Sequence, residues 1–389
     1  MDLSVFFQSL SEEMALNVAT LDGHHLGHHL SLHLNSFPDW QQADLILIGL
    51  PHWQYQPSHQ AYVASDAIRR QLYKLSLPTE QVKVCDLGNL KSREEQEDTQ
   101  EALAFCLNRL IQAGKRILLI GGRQDLTWGQ YMAYEGLEKQ IEYVQIDARF
   151  DLEDASILLD HRSYNHRIFV HHPNYLFNFT NLGHQSYFVS PQARQSLQEM
   201  NFFAVRYGLL NLQIQESEPH LRTADMVSFD FGAVRHGDSP GGYHPSPGGF
   251  SASEACQMAR YAGLGYHLSS MNLTEFDPAH DLRHQTALLG AMMIWYFIDG
   301  HYHRRADQPE EDKSNLRKYS VRLHAGVESI DFYEHPVSGR WWMEVPYQDS
   351  LGKPFPRTRL VACTIKDYEF AKQDDIPARW WQTYNKLKG

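Results

Sequence analysis

Four apolar runs, each of strand length and each closed by glycine or aspartate, constrain this chain more than any other feature. They read ADLILIGLP (43–51), KRILLIGGRQD (115–125), IEYVQIDARFD (141–151) and ADMVSFDFG (224–232). Runs of Ile, Leu and Val without alternation suit strands covered on both faces, as in a parallel sheet packed between helices. Helical patterns separate them. SREEQEDTQEALAFCLNRLIQAG (92–114) opens on acids and stops at Gly114, the charge order that a helix dipole favours. SASEACQMARYAGL (251–264) carries Ser251 and Glu254 in capping-box spacing. Strand and helix alternating in this way predict a doubly wound α/β fold. In such sheets the functional groups collect at the carboxyl ends of the strands. Arg123, Gln124 and Asp125 lie at one end, Asp147, Arg149 and Asp151 at the next, and Asp230 at a third. A further strand-like segment, SMNLTEFDPAHD (270–281), brings Glu275, Asp277 and Asp281 to the same edge.

With 389 residues, 42% of them hydrophobic, the chain has apolar material for one large domain or two smaller ones. The reading divides it into an N-terminal helical, His-rich segment (1–39), an α/β domain (40–309) and a C-terminal extension (310–389). The extension opens on the charged stretch EEDKSN (310–315) and continues in alternating β-patterns with a hairpin turn near Val337–Gly339. Its tryptophan pairs, Trp341–Trp342 and Trp380–Trp381, either anchor it to the main domain or form a partner surface. A net charge of -12 argues against nucleic acid as a partner. No uninterrupted apolar window of membrane-spanning length occurs. MDLSVFFQSLSEEMALN carries acids where a signal peptide carries lysine or arginine, and reads as a short amphipathic helix. Cys85, Cys106, Cys256 and Cys363 are scattered without a CxxC pair, as expected of reduced thiols in a cytoplasmic protein. In GHHLGHHLSLH (23–33), a helix would put His25, His29 and His33 on one face, and His24 and His28 beside them. That is either a polar face collecting metal adventitiously or a true site.

Four motifs in fixed order carry the chemistry: GGRQD, DARFD, SFDFGAVRHGDSPGGYHPSPGGFS and TEFDPAHDLRHQTA. Together they resemble the signature of the arginase–agmatinase–formimidoylglutamase (ureohydrolase) superfamily over roughly residues 40–305. The family pattern runs G-G-x-H, D-A-H-x-D, S-x-D-x-D into P-x-P-G-G-[LF]-S, then a strand ending on glutamate. The resemblance implies a three-layer α/β/α fold and homo-oligomers. It also implies two Mn²⁺ ions sharing a hydroxide that attacks a guanidino or formimino carbon.

Carried over by position, Asp147, Asp151 and Asp230 match metal ligands, and Glu275 matches the glutamate that receives the substrate cation. Three ligand positions differ: Gln124 and Arg149 stand where the family has histidine, and Gly232 where it has aspartate. One metal position therefore keeps Asp147, Asp151 and Asp230, with Gln124 able to add an amide oxygen. The other gains Arg149, a fixed cation whose guanidinium is expected to fork onto the carboxylates. Three aspartates and one arginine sum to about -2, which one divalent ion (Mn²⁺, Mg²⁺ or Ca²⁺) neutralises and two overshoot. The expectation is one ion or none. His184, in NYLFNFTNLGHQSYFV (174–189), is a candidate general acid or an ordinary loop histidine. His236, His244 and His280 read as hydrogen-bonded or surface residues. Two functions follow. One is a non-catalytic or repurposed member binding a small guanidino or formimino ligand, or a protein partner through the extension. The alternative is a metal-dependent amidine hydrolase.

Overall fold

The computed structural model describes residues 2–52, 62–79, 81–152, 162–305, 307–309, 313–323, 329–347 and 357–388. Ten strands form one sheet: β1 (Phe7–Gln8), β2 (Ser31–Leu32), β3 (Leu45–Gly49), β4 (Val84–Leu90), β5 (Arg116–Ile120), β6 (Ile141–Ile146), β7 (Leu176–His184), β8 (Phe203–Arg206), β9 (Met226–Asp230) and β10 (Ser270–Thr274). The order is β1-β4-β3-β5-β10-β9-β6-β7-β8, with β2 also on β4. All pairings are parallel except β1 with β4. The four apolar runs became β3, β5, β6 and β9.

Alternate side chains along these strands go to opposite faces. Leu45, Leu47, Leu118, Ile120, Val144 and Ile146 pack on one face, in a core shared with the helices Val63–Leu72, Ala252–Leu264 and Gln285–Tyr302. Ile46, Ile48, Ile117 and Leu119 face the other way, toward Leu103, Leu107 and Leu110 of the helix Gln96–Gln112. Ile141 and Tyr143 continue that second face against Tyr164 and Ile168. The result is the expected three-layer α/β/α arrangement. Each fully buried Leu or Ile contributes about 1.5–3 kcal/mol relative to exposure. The capping box forms in both directions: Ser251 Oγ accepts from Glu254 N–H (3.3 Å), and Glu254 Oε2 accepts from Ser251 N–H (2.7 Å).

The N-terminal segment departs from its helical reading. Only Glu12–Ala19 is α-helical, and Phe7–Gln8 joins the sheet as β1. Residues 23–30 are a loop with a 3-10 turn at Leu26–His28, leading into β2, so His25, His29 and His33 do not share a helical face. Gly23 and Gly27 weaken a helix there. Leu26 is drawn fully into the core, and its N–H donates to the Leu75 carbonyl instead of a helical partner (2.7 Å).

The C-terminal extension forms a separate antiparallel sheet, β11 (Arg317–Arg322), β12 (Ser329–Glu334), β13 (Trp341–Tyr347) and β14 (Arg357–Cys363), in sequential order. The 310–312 part of its charged lead-in lies outside the described residues. Gly339 turns the β12–β13 hairpin at φ 67°, its N–H donating to the His335 carbonyl (2.8 Å). Trp341 and Trp380 build this sheet's core with Phe332 and Met343, whereas Trp381 is 47% exposed. Trp342 faces the main domain: buried Arg222 stacks 4.5 Å over its ring and donates to the carbonyls of Trp341 (3.2 Å) and Cys363 (3.3 Å). Arg359 pairs with Glu142 of β6 (3.0 Å), and Lys386 of the last helix donates to Asn178 of β7 (2.6 Å).

Candidate functional site

β5, β10, β9, β6 and β7 are consecutive neighbours. Their carboxyl ends carry Gln124, Glu275, Asp230, Asp147 and His184 along one rim. Gly121 and Gly122, at φ 79° and 72°, swing the chain beyond β5. They set Gln124 beneath β10, where its N–H donates to Glu275 Oε1 (2.7 Å). The Gln124 amide donates to Tyr164 (3.1 Å) and Ser228 (2.6 Å), and its oxygen accepts from Thr274. Glu275 and Asp151 both hold left-handed backbone, φ 62° and 50°. That conformation costs about 1–2 kcal/mol in a residue with a Cβ, and such strain collects at functional sites.

Asp147 and Asp151 are joined through a residue that the motif reading passed over. Gln145 Nε2 donates to Asp147 Oδ2 (3.1 Å), Asp151 Oδ2 (2.6 Å) and the Tyr164 hydroxyl (3.1 Å), while its oxygen accepts from Asn181 (3.2 Å). The signal was present in sequence: Gln145 lies two residues before Asp147, on the same strand face, inside an apolar run. Burial first, then Asp151, holds the Asp147 carboxyl well above the ordinary carboxylate range. Burial also raises Asp151 to about 8, with Asp230 and Glu275 adding repulsion. Asp230 is raised by burial, Asp147 and Glu275, in that order. Burial thus favours protons on these carboxyls, which makes the rim less negative than the count of three ionised aspartates supposes.

Arg149 does not fork onto these carboxylates. Its guanidinium stacks 4.4 Å over the Phe188 ring, and among the described residues it makes no ion pair. Its backbone N–H is what reaches Asp147 (2.8 Å). At Gly232 a Cβ would lie 3.0 Å from Asp230 Oδ1 and 3.5 Å from the His244 Cβ, so His244 borders the position where the family pattern has its second aspartate. His244 is held near 4 by burial and by Arg162, Arg149 and Arg123 around it. It is part of the rim's surroundings, which its place in the sequence did not reveal. His184 ends β7 and does not sit in a loop. It is 3% exposed, lies 4.8 Å from the Phe150 ring and is lowered to about 4 by burial. Its charged neighbours are Arg194 and Arg206, not the aspartates.

Residues 43–299 match the family model described as the arginase family. The chain belongs to the arginase family. Among curated arginase-family relatives, formimidoylglutamase of Hahella chejuensis is 33% identical over 82 residues, 19% of this chain and only 24% of that protein. Agmatinase of Proteus mirabilis is 27% identical over 220 residues, 54% of this chain and 69% of that protein. In three dimensions the chain is similar to the formiminoglutamase of Trypanosoma cruzi with Mn²⁺. The TM-score is 0.61 at 17% identity, covering 68% of this chain and 95% of that one. No described helix is long and apolar enough to cross a membrane.

Donors around one Mg²⁺ or Zn²⁺ lie about 2.0–2.2 Å from it, hence at most about 4.4 Å apart, and around Ca²⁺ about 2.3–2.6 Å, hence up to about 5.2 Å apart. Asp147, Asp151 and Asp230 do not bring one oxygen each within 4.8 Å of one another. The Gln124 oxygen accepts from Thr274. An ion as small as Mg²⁺ shared by all three aspartates would require these side chains to move closer together.

Proposed function

We propose that this arginase-family chain is a binding protein, non-catalytic or repurposed, whose two-metal centre has been degraded. Its ligand is a small guanidino or formimino compound or a protein partner. The observation that carries the reading is the Gln145 amide, which ties Asp147 to Asp151 where the family would use metal. The engaged Gln124 amide, the arginine at 149 stacked on Phe188 and the glycine at 232 support it. Purified untagged protein, loaded with Mn²⁺ and offered arginine, agmatine or formiminoglutamate, is expected to release no urea, ammonia or formamide. Metal-dependent release abolished by Asp230→Ala would reverse the proposal.

The retained Asp147, Asp151, Asp230 and Glu275 favour a second reading, an amidine hydrolase using a single divalent cation. Under it, Gln124→His, Arg149→His and Gly232→Asp together raise both metal retention and a basal rate. A triple variant no more active than the parent removes it. Four buried free thiols support a reducing, cytoplasmic setting. A homo-oligomer with a partner surface on the C-terminal sheet completes the proposal.

A further inference from the structure

Among the described residues, one trio of His, Cys, Asp or Glu side chains brings a donor atom from each within 4.8 Å of the others, and it is not at the strand ends. It is Asp22, His24 and His25, in the loop between the helix Glu12–Ala19 and β2. We propose that this loop is a transition-metal site, for Zn²⁺ or an ion of similar preference, distinct from the rim of the main sheet.

Two imidazoles and one carboxylate form a donor set suited to Zn²⁺, Co²⁺, Ni²⁺ or Cu²⁺, and a poor one for Mg²⁺ or Ca²⁺, which take oxygen ligands. The His25 Nδ1 lone pair already points at residue 22, accepting its backbone N–H (3.0 Å). That accepting role aims a ring lone pair into the trio. The His24 ring lies against it at 3.9 Å between centroids. On binding, the metal takes the lone pair, and the exposed Asp22 N–H turns to water at little cost.

The loop backbone is held from outside the trio. Leu26 N–H donates to Leu75 O (2.7 Å), Gly27 N–H to Tyr73 O (3.0 Å) and Leu77 N–H to His24 O (3.2 Å). Leu26 is fully buried, so the loop is anchored directly beside its ligands. Asp22 and His24 are exposed and His25 is half-buried, which leaves the ion's remaining positions open to water or to a donor from another molecule.

Zn²⁺ titrated calorimetrically into the untagged, chelator-stripped full chain tests this. One ion per chain is expected. His24→Ala and His25→Ala are each expected to weaken binding roughly tenfold or more, since even an outer-shell change costs 10- to 100-fold. Asp147→Asn, Asp230→Asn and the exposed neighbour His28→Ala should bind as the parent does. Undiminished binding in His24→Ala and His25→Ala overturns the proposal. So does loss only in the Asp147 or Asp230 variants, which would put the ion on the rim. An equal loss in His28→Ala would mean diffuse chelation by a His-rich stretch, and overturns it too.

Discussion

Asp151 carries two burdens at one position, left-handed backbone and a carboxyl buried among other acids. Its folded value near 8 lies above the ordinary 3.8. Between those values the folded chain holds more protons than the unfolded one, so this residue's contribution falls as pH rises from about 4 to 8. Asn resembles the protonated carboxyl in shape and tolerates φ near 50°. Asp151→Asn is therefore expected to stabilise the protein by about 1–3 kcal/mol at pH 8 and little at pH 5. Urea denaturation at the two pH values checks it, and equal effects at both would show that Asp151 is ionised throughout. The motifs picked out Asp147, Asp151, Asp230 and Glu275 because backbone position at a strand end is written in local sequence. The direction of Arg149 was not, because a long side chain chooses between carboxylates and an aromatic face only once Phe188, 39 residues later, is in place.

At the level of elements, the last helix, Ala378–Lys388, lays Lys386 between Phe177 (5.5 Å) and Phe202 (4.6 Å). Burial lowers its ammonium to about 7, opposed by Glu142 and assisted by Arg359. Below pH 7 the full cost of the buried charge is present. From about 7 to 10.5 the unfolded chain binds the extra proton, so stability rises with pH. Lys386→Met keeps the apolar stem and loses the Asn178 hydrogen bond. It should gain about 1–2 kcal/mol at pH 6, shrinking toward pH 10. A gain that does not change with pH in thermal melts would refute the charge argument. The starts of strands buried on both faces were legible to within two residues, because uninterrupted Ile, Leu and Val leave few alternatives, whereas the polar residues that follow two of the runs lie up to five residues past the strand. The loop at 23–30 was not legible, because helical spacing of histidines says nothing about Leu26, whose burial against the main domain sets that backbone.

For the whole molecule, the question is what the C-terminal sheet contributes. It covers Arg222, 1% exposed in its side chain, and supplies Arg359 to Glu142. Ending the chain near residue 310 would open to water Phe177 and Phe202, over which Arg359 and Lys386 lie, and take Arg359 from Glu142, a loss of packing that destabilises the main domain. The truncated protein is expected to melt several degrees lower and to self-associate. Unchanged melting, oligomeric state and partner binding would make the sheet an independent appendage and end the idea that it serves assembly.

The position of β10 has a consequence for how the chain is made. β4, β3 and β5 form one side of the sheet, and β9, β6, β7 and β8 the other; β10 alone joins them. It is the last strand of this sheet to leave the ribosome. Until Ser270–Thr274 emerges, a nascent chain holds two half-sheets with open inner edges and no shared rim. Gln124 waits on one side, Asp147 and Asp230 on the other. Synthesis order makes completion of the site the closing event of this sheet's assembly, and leaves the β5 edge open from residue 120 and the β9 edge from residue 230 until β10 is made.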